Sequence, residues 1–243
     1  MTDFWAIRLL MLYFAVAVIV IVYQARRSPP GWNIWWIYVL ERYYVPLVFN
    51  WRSNKRCPFP DDRGALILAN HRSPVDPLLV WMQHHLGGES RSIRPISFLT
   101  AREYSEVGGF IGWICKSVST IPVERNGRDM APVREALRRL KNGGLVGVFP
   151  EGGINKGPGL REANPGIAWL ALHSKAPVYP VYIQGAPQTE SMVQPFYTFS
   201  RVRVVFGDPI DLSPYYGRKI NTELLQEVID HMMRQLAALN EPA

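Results

Sequence analysis

Ala65-Leu66-Ile67-Leu68-Ala69-Asn70-His71-Arg72-Ser73-Pro74-Val75-Asp76 is the stretch on which the reading of the fold turns. Its first five residues are an uninterrupted apolar run that reads as a buried strand, and Pro74 to Met82 reads as the helix behind it. His71 then stands at the C-terminal end of a strand, and Asp76 stands in the first turn of a helix. The edge of a sheet at its strand ends is where α/β folds place their sites. A carboxylate on one imidazole nitrogen fixes the tautomer and leaves the other nitrogen as a general base. Ser73-Pro74-Val75-Asp76 is equally a capping box with proline at the first helical position, in which Asp76 serves only the helix start.

Outward from this stretch, strand-like and helix-like patterns alternate. Ile93 to Leu99, Ser119 to Val123, Leu145 to Phe149, Val178 to Ile183 and Val202 to Phe206 read as strands. Asp129 is placed to cap a helix with Met130, Val133, Leu137 and Leu140 on one face, stopped by Asn142-Gly143-Gly144. Asn164-Pro165 opens another helix that runs to about Ser174. Leu224, Leu225, Val228, Ile229, Met232, Met233 and Leu236 mark a C-terminal amphipathic helix. Gly108 to Cys115 is apolar and glycine-rich. The alternation predicts an α/β domain with a mixed, mostly parallel sheet flanked by helices.

Toward the N-terminus, Leu9 to Tyr23 carries no charge, and Phe4 to Tyr23 is broken only by Arg8. At ~1.5 Å per residue the wider stretch is about 30 Å long, enough to cross a hydrocarbon core if Arg8 snorkels. The positive pair Arg26-Arg27 follows the apolar run and no A-x-A site is present, so the segment reads as an uncleaved anchor and not as a signal peptide. After Pro29-Pro30-Gly31 come Trp32, Trp35, Trp36, Tyr38, Tyr43, Tyr44 and Trp51, a density of amphipathic rings suited to the headgroup layer. Both segments also fit helices packed on a soluble core. A polar, Pro-containing link from Asn54 to Arg63 suggests a division into an N-terminal helical membrane anchor, residues 1–56, and a second unit, residues 57–243.

With 48% apolar and 19% charged residues, the 243-residue chain is neither disordered nor a charged coiled coil. The net charge of +7 suits nucleic acid, an anionic membrane or a phosphorylated substrate. Arg26, Arg27, Arg42, Arg52, Lys55 and Arg56 follow the apolar segment directly, which favours the membrane surface and predicts that the rest of the chain stays on the cytoplasmic face. No RNA-binding signature or zinc-finger spacing accompanies them, so no nucleic-acid partner is expected. Cys57 and Cys115 form no CxxC, which excludes a disulfide scaffold or structural zinc module and fits a reducing compartment.

Two further clusters are candidates for chemistry. Phe149-Pro150-Glu151-Gly152-Gly153 follows a strand, and such a turn presents backbone N–H groups to an anion or oxyanion unless it only reverses the chain. Ile121-Pro122-Val123-Glu124-Arg125 delivers a guanidinium at a strand end, able to hold a phosphate bidentately or else simply solvated. There is no G-x-S-x-G elbow of a serine hydrolase and no GxxxxGK[ST] phosphate loop.

Taken together, the NHxxxxD block at Asn70–Asp76, the block ending at Arg125, the FPEG block at Phe149–Gly152 and the strand Ala176-Pro177-Val178-Tyr179-Pro180-Val181 resemble the glycerolipid acyltransferase family, in the family's order and approximate spacing over residues 60–190. The resemblance implies transfer of a fatty acyl group from an acyl-CoA or acyl carrier protein thioester to a hydroxyl of a glycerophosphate lipid, with lysophosphatidic acid the favoured acceptor and phosphatidic acid the product. It implies no metal and no prosthetic group. His71 corresponds to the base, Asp76 to its orienting carboxylate, Arg125 to the phosphate-binding arginine, and Glu151 and Gly152 to the block that holds the acceptor and supports the tetrahedral intermediate. Where family members commonly continue FPEG with Thr-Arg-Ser, this chain has Gly153-Ile154-Asn155-Lys156. The usual second arginine is missing, and Lys156 or Arg161 stands nearest to replace it. Another lysolipid acceptor, a transacylase, or a non-catalytic membrane protein that binds anionic lipid remains an alternative, and the oligomeric state is left open.

Overall fold

The computed structural model describes residues 2–27, 31–82, 93–106, 108–124, 130–189 and 191–240. Among these, β2 (Ala65–Ala69) lies where the apolar run predicts it, with all five residues buried. Ala65, Ile67 and Ala69 enter one apolar cluster, whereas Leu66 and Leu68 enter another on the opposite side. A strand covered on both faces has no need of polar alternation.

Around it stand β1 (Arg52–Ser53), β3 (Ile96–Ala101), β4 (Ile121–Val123), β5 (Leu145–Val148), β6 (Val178–Gln184) and β7 (Arg203–Phe206). They form one sheet in the order β1-β7-β6-β2-β5-β3-β4. All neighbours pair in parallel except β6 and β7. The mixed, mostly parallel sheet expected from the alternation is therefore present. β3 begins later than the sequence pattern indicates, because Pro95 has no N–H to give a ladder. It runs on to Ala101 because Leu99, Thr100 and Ala101 pair with Ile121, Pro122 and Val123.

One face of the sheet is covered by α2 (Trp32–Phe49), α3 (Asp76–Trp81) and α5 (Gly109–Ser117), the other by α6 (Ala131–Lys141), α7 (Gly166–Ser174) and α8 (Thr222–Ala238). The short α4 (Arg102–Ser105) follows β3. The helix expected from Pro74 starts two residues later, since Ser73 and Val75 are spent in tight turns that receive the N–H groups of Asp76 and Leu78. The glycine-rich segment before Cys115 is helical. In α6 the buried positions are Pro132, Ala136 and Leu140, while Met130 precedes the helix and is exposed. Asp129, its expected cap, lies outside the described residues. Asn164 does serve the start of α7, its Oδ1 accepting from Gly166 N at 2.8 Å, and Asn221 Oδ1 accepts from Leu224 N at 2.9 Å to begin α8.

The N-terminal helix α1 (Thr2–Arg27) contains the window Phe4–Tyr23, long and apolar enough to cross a membrane and with none of it buried against the protein. α2 is apolar on two opposite sides. Ile34, Ile37, Glu41, Val45 and Phe49 are buried, whereas Trp32, Trp36, Leu40, Tyr43 and Leu47 are exposed. The helix expected in the headgroup layer thus also packs on the core. It and β1 lie N-terminal to the link at Asn54–Arg63, yet they contribute to the same core and sheet as the rest of the chain.

Candidate active site

β2, β5 and β3 are adjacent and parallel, so their C-terminal ends bring three segments to one edge of the sheet. β2 leads into Asn70 and His71. The Asn70 side chain continues the ladder beyond its last backbone pair: Ile183 N donates to its Oδ1 at 2.6 Å and its Nδ2 donates to Ile183 O at 3.0 Å. A buried amide used in this way sets the exit direction of the chain just before His71.

His71 Nδ1 stands 2.9 Å from Asp76 Oδ2. The same oxygen accepts the backbone N–H groups of Arg72 at 2.6 Å and Ser73 at 2.7 Å. Asp76 is wholly buried, and three donors on one oxygen hold the carboxylate against a single orientation. The Ser73 hydroxyl is buried without a partner among the described residues, so the hydroxyl-based capping box is not formed. Asp76 instead caps the loop that carries His71. With the carboxylate on Nδ1, that nitrogen carries the proton and Nε2 is the acceptor. Nε2 is hydrogen-bonded by no described residue, and the His71 side chain is 17% exposed.

Phe149, at the end of β5, stacks flat on the imidazole with ring centroids 4.0 Å apart and an interplanar angle of 14°. Phe98 of β3 stacks on Phe149 in turn, at 5.1 Å and 12°. This ladder of three rings fixes the plane of His71 from one side while Asp76 fixes its edge.

Glu151 is also buried, but it faces inward. Its Oε1 accepts from His71 N at 3.0 Å, and its Oε2 accepts from Asn155 Nδ2 at 2.6 Å and Arg161 N at 3.1 Å. Asn155 N closes the circuit by donating to His71 O at 2.7 Å. Glu151, expected to touch the acceptor, therefore ties the backbone of the base to the loop 155–161. Gly152 adopts φ +69°, and its N–H donates to Phe149 O at 3.1 Å, which makes it the turn-forming member of the FPEG block. That N–H is already engaged and is not directed at an oxyanion. Lys156 and Arg161 are exposed on the pinned loop at this same end of the sheet. Arg72 Nη1 donates to the carbonyl oxygens of Gly157 and Gly159, which holds the loop's far side. Arg125 lies outside the described residues. Glu124 before it pairs with Arg102.

Sequence reasoning found His71, Asp76 and the Glu151 block but not the ring ladder or Asn155. Phe98 carries no local signal because Phe149 is far away in the chain, and Asn155 joins the base only through its backbone N–H, which its side chain's local bonds to Glu151, Gly157 and Gly159 do not reveal. Among the described residues no group of three His, Cys, Asp or Glu side chains gathers as it would to hold a metal ion.

A mixed, mostly parallel α/β sheet with a carboxylate-held histidine at its strand ends has the layout of a layered α/β enzyme, whose sites lie at that edge. The acyltransferase family model matches residues 52–184, and the chain belongs to that family. A 1-acyl-sn-glycerol-3-phosphate acyltransferase of Bacillus subtilis is 23% identical over 62% of this chain and 69% of its own. A probable 1-acyl-sn-glycerol-3-phosphate acyltransferase of Mycoplasma pneumoniae is 24% identical over 72% of this chain, a match that spans only 65% of the relative's length. In fold, the chain is similar to the crystal structure of the 1-acyl-sn-glycerophosphate (LPA) acyltransferase PlsC from Thermotoga maritima, with a TM-score of 0.66, 21% identity, and coverage of 97% and 96% of the two chains.

Proposed function

We propose that this acyltransferase moves a fatty acyl group from the thioester of acyl-CoA or acyl carrier protein to the free hydroxyl of lysophosphatidic acid, giving phosphatidic acid for phospholipid synthesis. The observation that carries the reading is the contact between His71 Nδ1 and Asp76 Oδ2, which leaves Nε2 as a base at the sheet edge. The names of the relatives from Bacillus subtilis and Mycoplasma pneumoniae support the acceptor.

In the reaction, Nε2 takes the acceptor's hydroxyl proton as the oxygen attacks the thioester carbonyl. The tetrahedral intermediate then collapses with cleavage of the carbon–sulfur bond, and the imidazolium returns the proton to the departing thiolate. Asp76 stabilises the imidazolium between the two transfers, a contribution that general-base systems draw on for roughly 10²–10⁴ in rate. Glu151 acts through the backbone of His71. Arg125 binds the acceptor's phosphate, aided by Lys156 or Arg161 in place of the family's second arginine. Gly152 provides the turn on which this block is built. On this reading the reaction uses no metal or prosthetic group.

The exposed apolar helix α1 anchors the protein in the membrane, and Arg26-Arg27 at its C-terminal end keeps the catalytic domain on the cytoplasmic side. Such an anchor resists extraction by high salt, because apolar burial is not screened as surface charge is.

The test is a thioester-release assay of the full chain against glycerol 3-phosphate, lysophosphatidic acid and other lysolipids, with and without CoA. Lysophosphatidic acid is the expected best acceptor, and His71→Ala removes turnover while the protein stays folded. Near wild-type turnover in His71→Ala sinks the mechanism. In Arg125→Ala the acceptor's KM rises sharply and the donor's does not, with Lys156→Ala a weaker effect in the same direction. An unchanged acceptor KM would place the phosphate elsewhere.

A further inference from the structure

β6 and β7 are antiparallel neighbours, and such strands are joined by two to five residues in a tight hairpin. Here the connection runs from Gly185 to Val202. Connections of this length are uncommon in compact domains and usually serve a function. Within it, Gln194–Tyr197 forms a single 3₁₀ turn. Pro195 is buried and Phe196 packs on the core, while Val193, Tyr197 and Phe199 point outward, 54%, 66% and 75% exposed. Three apolar side chains aimed at water from one short turn need a reason.

Two features point to lipid. First, from Ser191 to Ser200 the chain carries no charged residue, and Arg201 and Arg203 follow directly. The turn also meets part of its own backbone. Val193 N and Gln194 N donate to Ser191 Oγ at 3.1 and 3.2 Å, Phe196 N donates to Val193 O at 3.0 Å, and Thr198 Oγ1 donates to Gln194 O at 2.9 Å. A segment that enters an apolar layer must meet its polar groups internally. Basic residues at its edge suit anionic headgroups.

Second, the turn is fastened to α2 through residues that pack on the core. Tyr44 Oη donates to Phe196 O, Ser200 N donates to Val48 O at 3.1 Å and Val202 N to Phe49 O at 2.9 Å. Tyr43 and Leu47, the residues next to these partners, are 74% and 76% exposed and belong to the outer aromatic and aliphatic stripe of α2. Val193, Tyr197 and Phe199 are thus exposed on a segment tied to the helix that carries this stripe, where β6 emerges at the same end of the sheet as His71.

We propose that the Met192–Phe199 turn is a second membrane contact, seated in the interfacial layer of the bilayer beside the outer face of α2. It fixes the catalytic domain at two points distant in sequence and turns the His71 edge toward the lipid surface. A lipid substrate and its product then pass between bilayer and site without crossing bulk water.

The experiment uses the unmodified full chain in vesicles of phosphatidylcholine and phosphatidylglycerol that carry a diazirine-tagged phosphatidylcholine, with adducts mapped after illumination. Adducts at Val193, Tyr197 or Phe199, in addition to those on α1 and α2, are expected. Adducts confined to α1 and α2 overturn the proposal. The kinetic arm rests on the lysolipid reading of the site. The combined variant Val193→Ser, Tyr197→Ser and Phe199→Ser is expected to lose about tenfold in kcat/KM, about 1.4 kcal/mol, on acceptor presented in vesicles. With a short-chain lysolipid dispersed as monomers it keeps wild-type values. Equal loss on both substrates marks a structural effect and overturns the proposal. An enzyme inactive toward every acceptor would sink the lysolipid reading alone, with the adduct map still deciding the contact.

Discussion

The Glu151 carboxylate accepts the backbone N–H of His71 at 3.0 Å, a bond between the FPEG turn after β5 and the loop after β2. Its other oxygen receives Asn155 Nδ2 and Arg161 N. Glu151→Gln places an amide NH₂ against one of these donor sets, so one contact or two are lost, depending on which way the amide turns. The expected result is a lower kcat with the acceptor's KM unchanged, since the base moves and the acceptor's contacts do not. A KM effect without a kcat effect would restore Glu151 as an acceptor ligand.

Asp76→Asn separates geometry from charge. All three donors to Asp76 use Oδ2, and Oδ1 has no partner among the described residues. An asparagine with its carbonyl oxygen in the Oδ2 position keeps every contact but loses the charge that stabilises an imidazolium, and it buries an unpaired NH₂. Turnover is expected to fall by roughly 10²–10⁴, with a stability cost of about 1–3 kcal/mol. Wild-type turnover with a lowered melting temperature would reduce Asp76 to a loop cap.

The ring ladder predicts a remote effect. A Cβ on Gly147 would stand 2.3 Å from Phe98 Cε1, and Phe98 is buried with Phe149 stacked on it and His71 beyond. Gly147→Ala should cost about 1–3 kcal/mol by overpacking and reduce kcat by displacing the imidazole plane. Gly147→Ala with unchanged kcat, measured alongside a thermal melt, would show that the ladder does not orient His71.

Glu41 lies buried within α2 and its Oε1 has no partner among the described residues. Burial pushes its carboxyl well above the ordinary carboxylate value of 4.5. Above about that pH the unfolded chain releases this proton and the folded chain keeps it, so unfolding is favoured as pH rises until the folded group itself ionises. Below it the two states are equally protonated and the group contributes no slope. Glu41→Gln removes this dependence. Denaturant midpoints at pH 5 and pH 8 are expected to differ less in the variant than in the wild type, with the variant the more stable at pH 8. A variant less stable at pH 8 would mean that the ionised carboxylate has a stabilising partner.

Local sequence determined much of this protein because the relevant physics is local. An uncharged run as long as Leu9–Tyr23 reads as a membrane-length helix from composition alone. The apolar run Ala65–Ala69 needs no partner to be recognised as a buried strand. His71 and Asp76 are close in sequence, so the short loop between them is enough for the pairing of imidazole and carboxylate to be read locally.

Tertiary structure decided what depends on strand order. β2, β5 and β3 are adjacent, and only that adjacency stacks Phe98 and Phe149 on His71 and turns Glu151 inward to its backbone. The motif resemblance associates Glu151 with the acceptor; its bonds to His71 N, Asn155 and Arg161 are visible only in the fold, because a motif records which residues stand together, not which way their side chains point. For α2, composition shows a helix rich in apolar and aromatic residues, which fits both an interfacial helix and a core helix. Contact with the sheet settles which stripe is covered, burying Val45 and Phe49 and leaving Tyr43 and Leu47 exposed. The hydrophobic effect has no direction of its own, so the choice of buried face belongs to the partner that covers it.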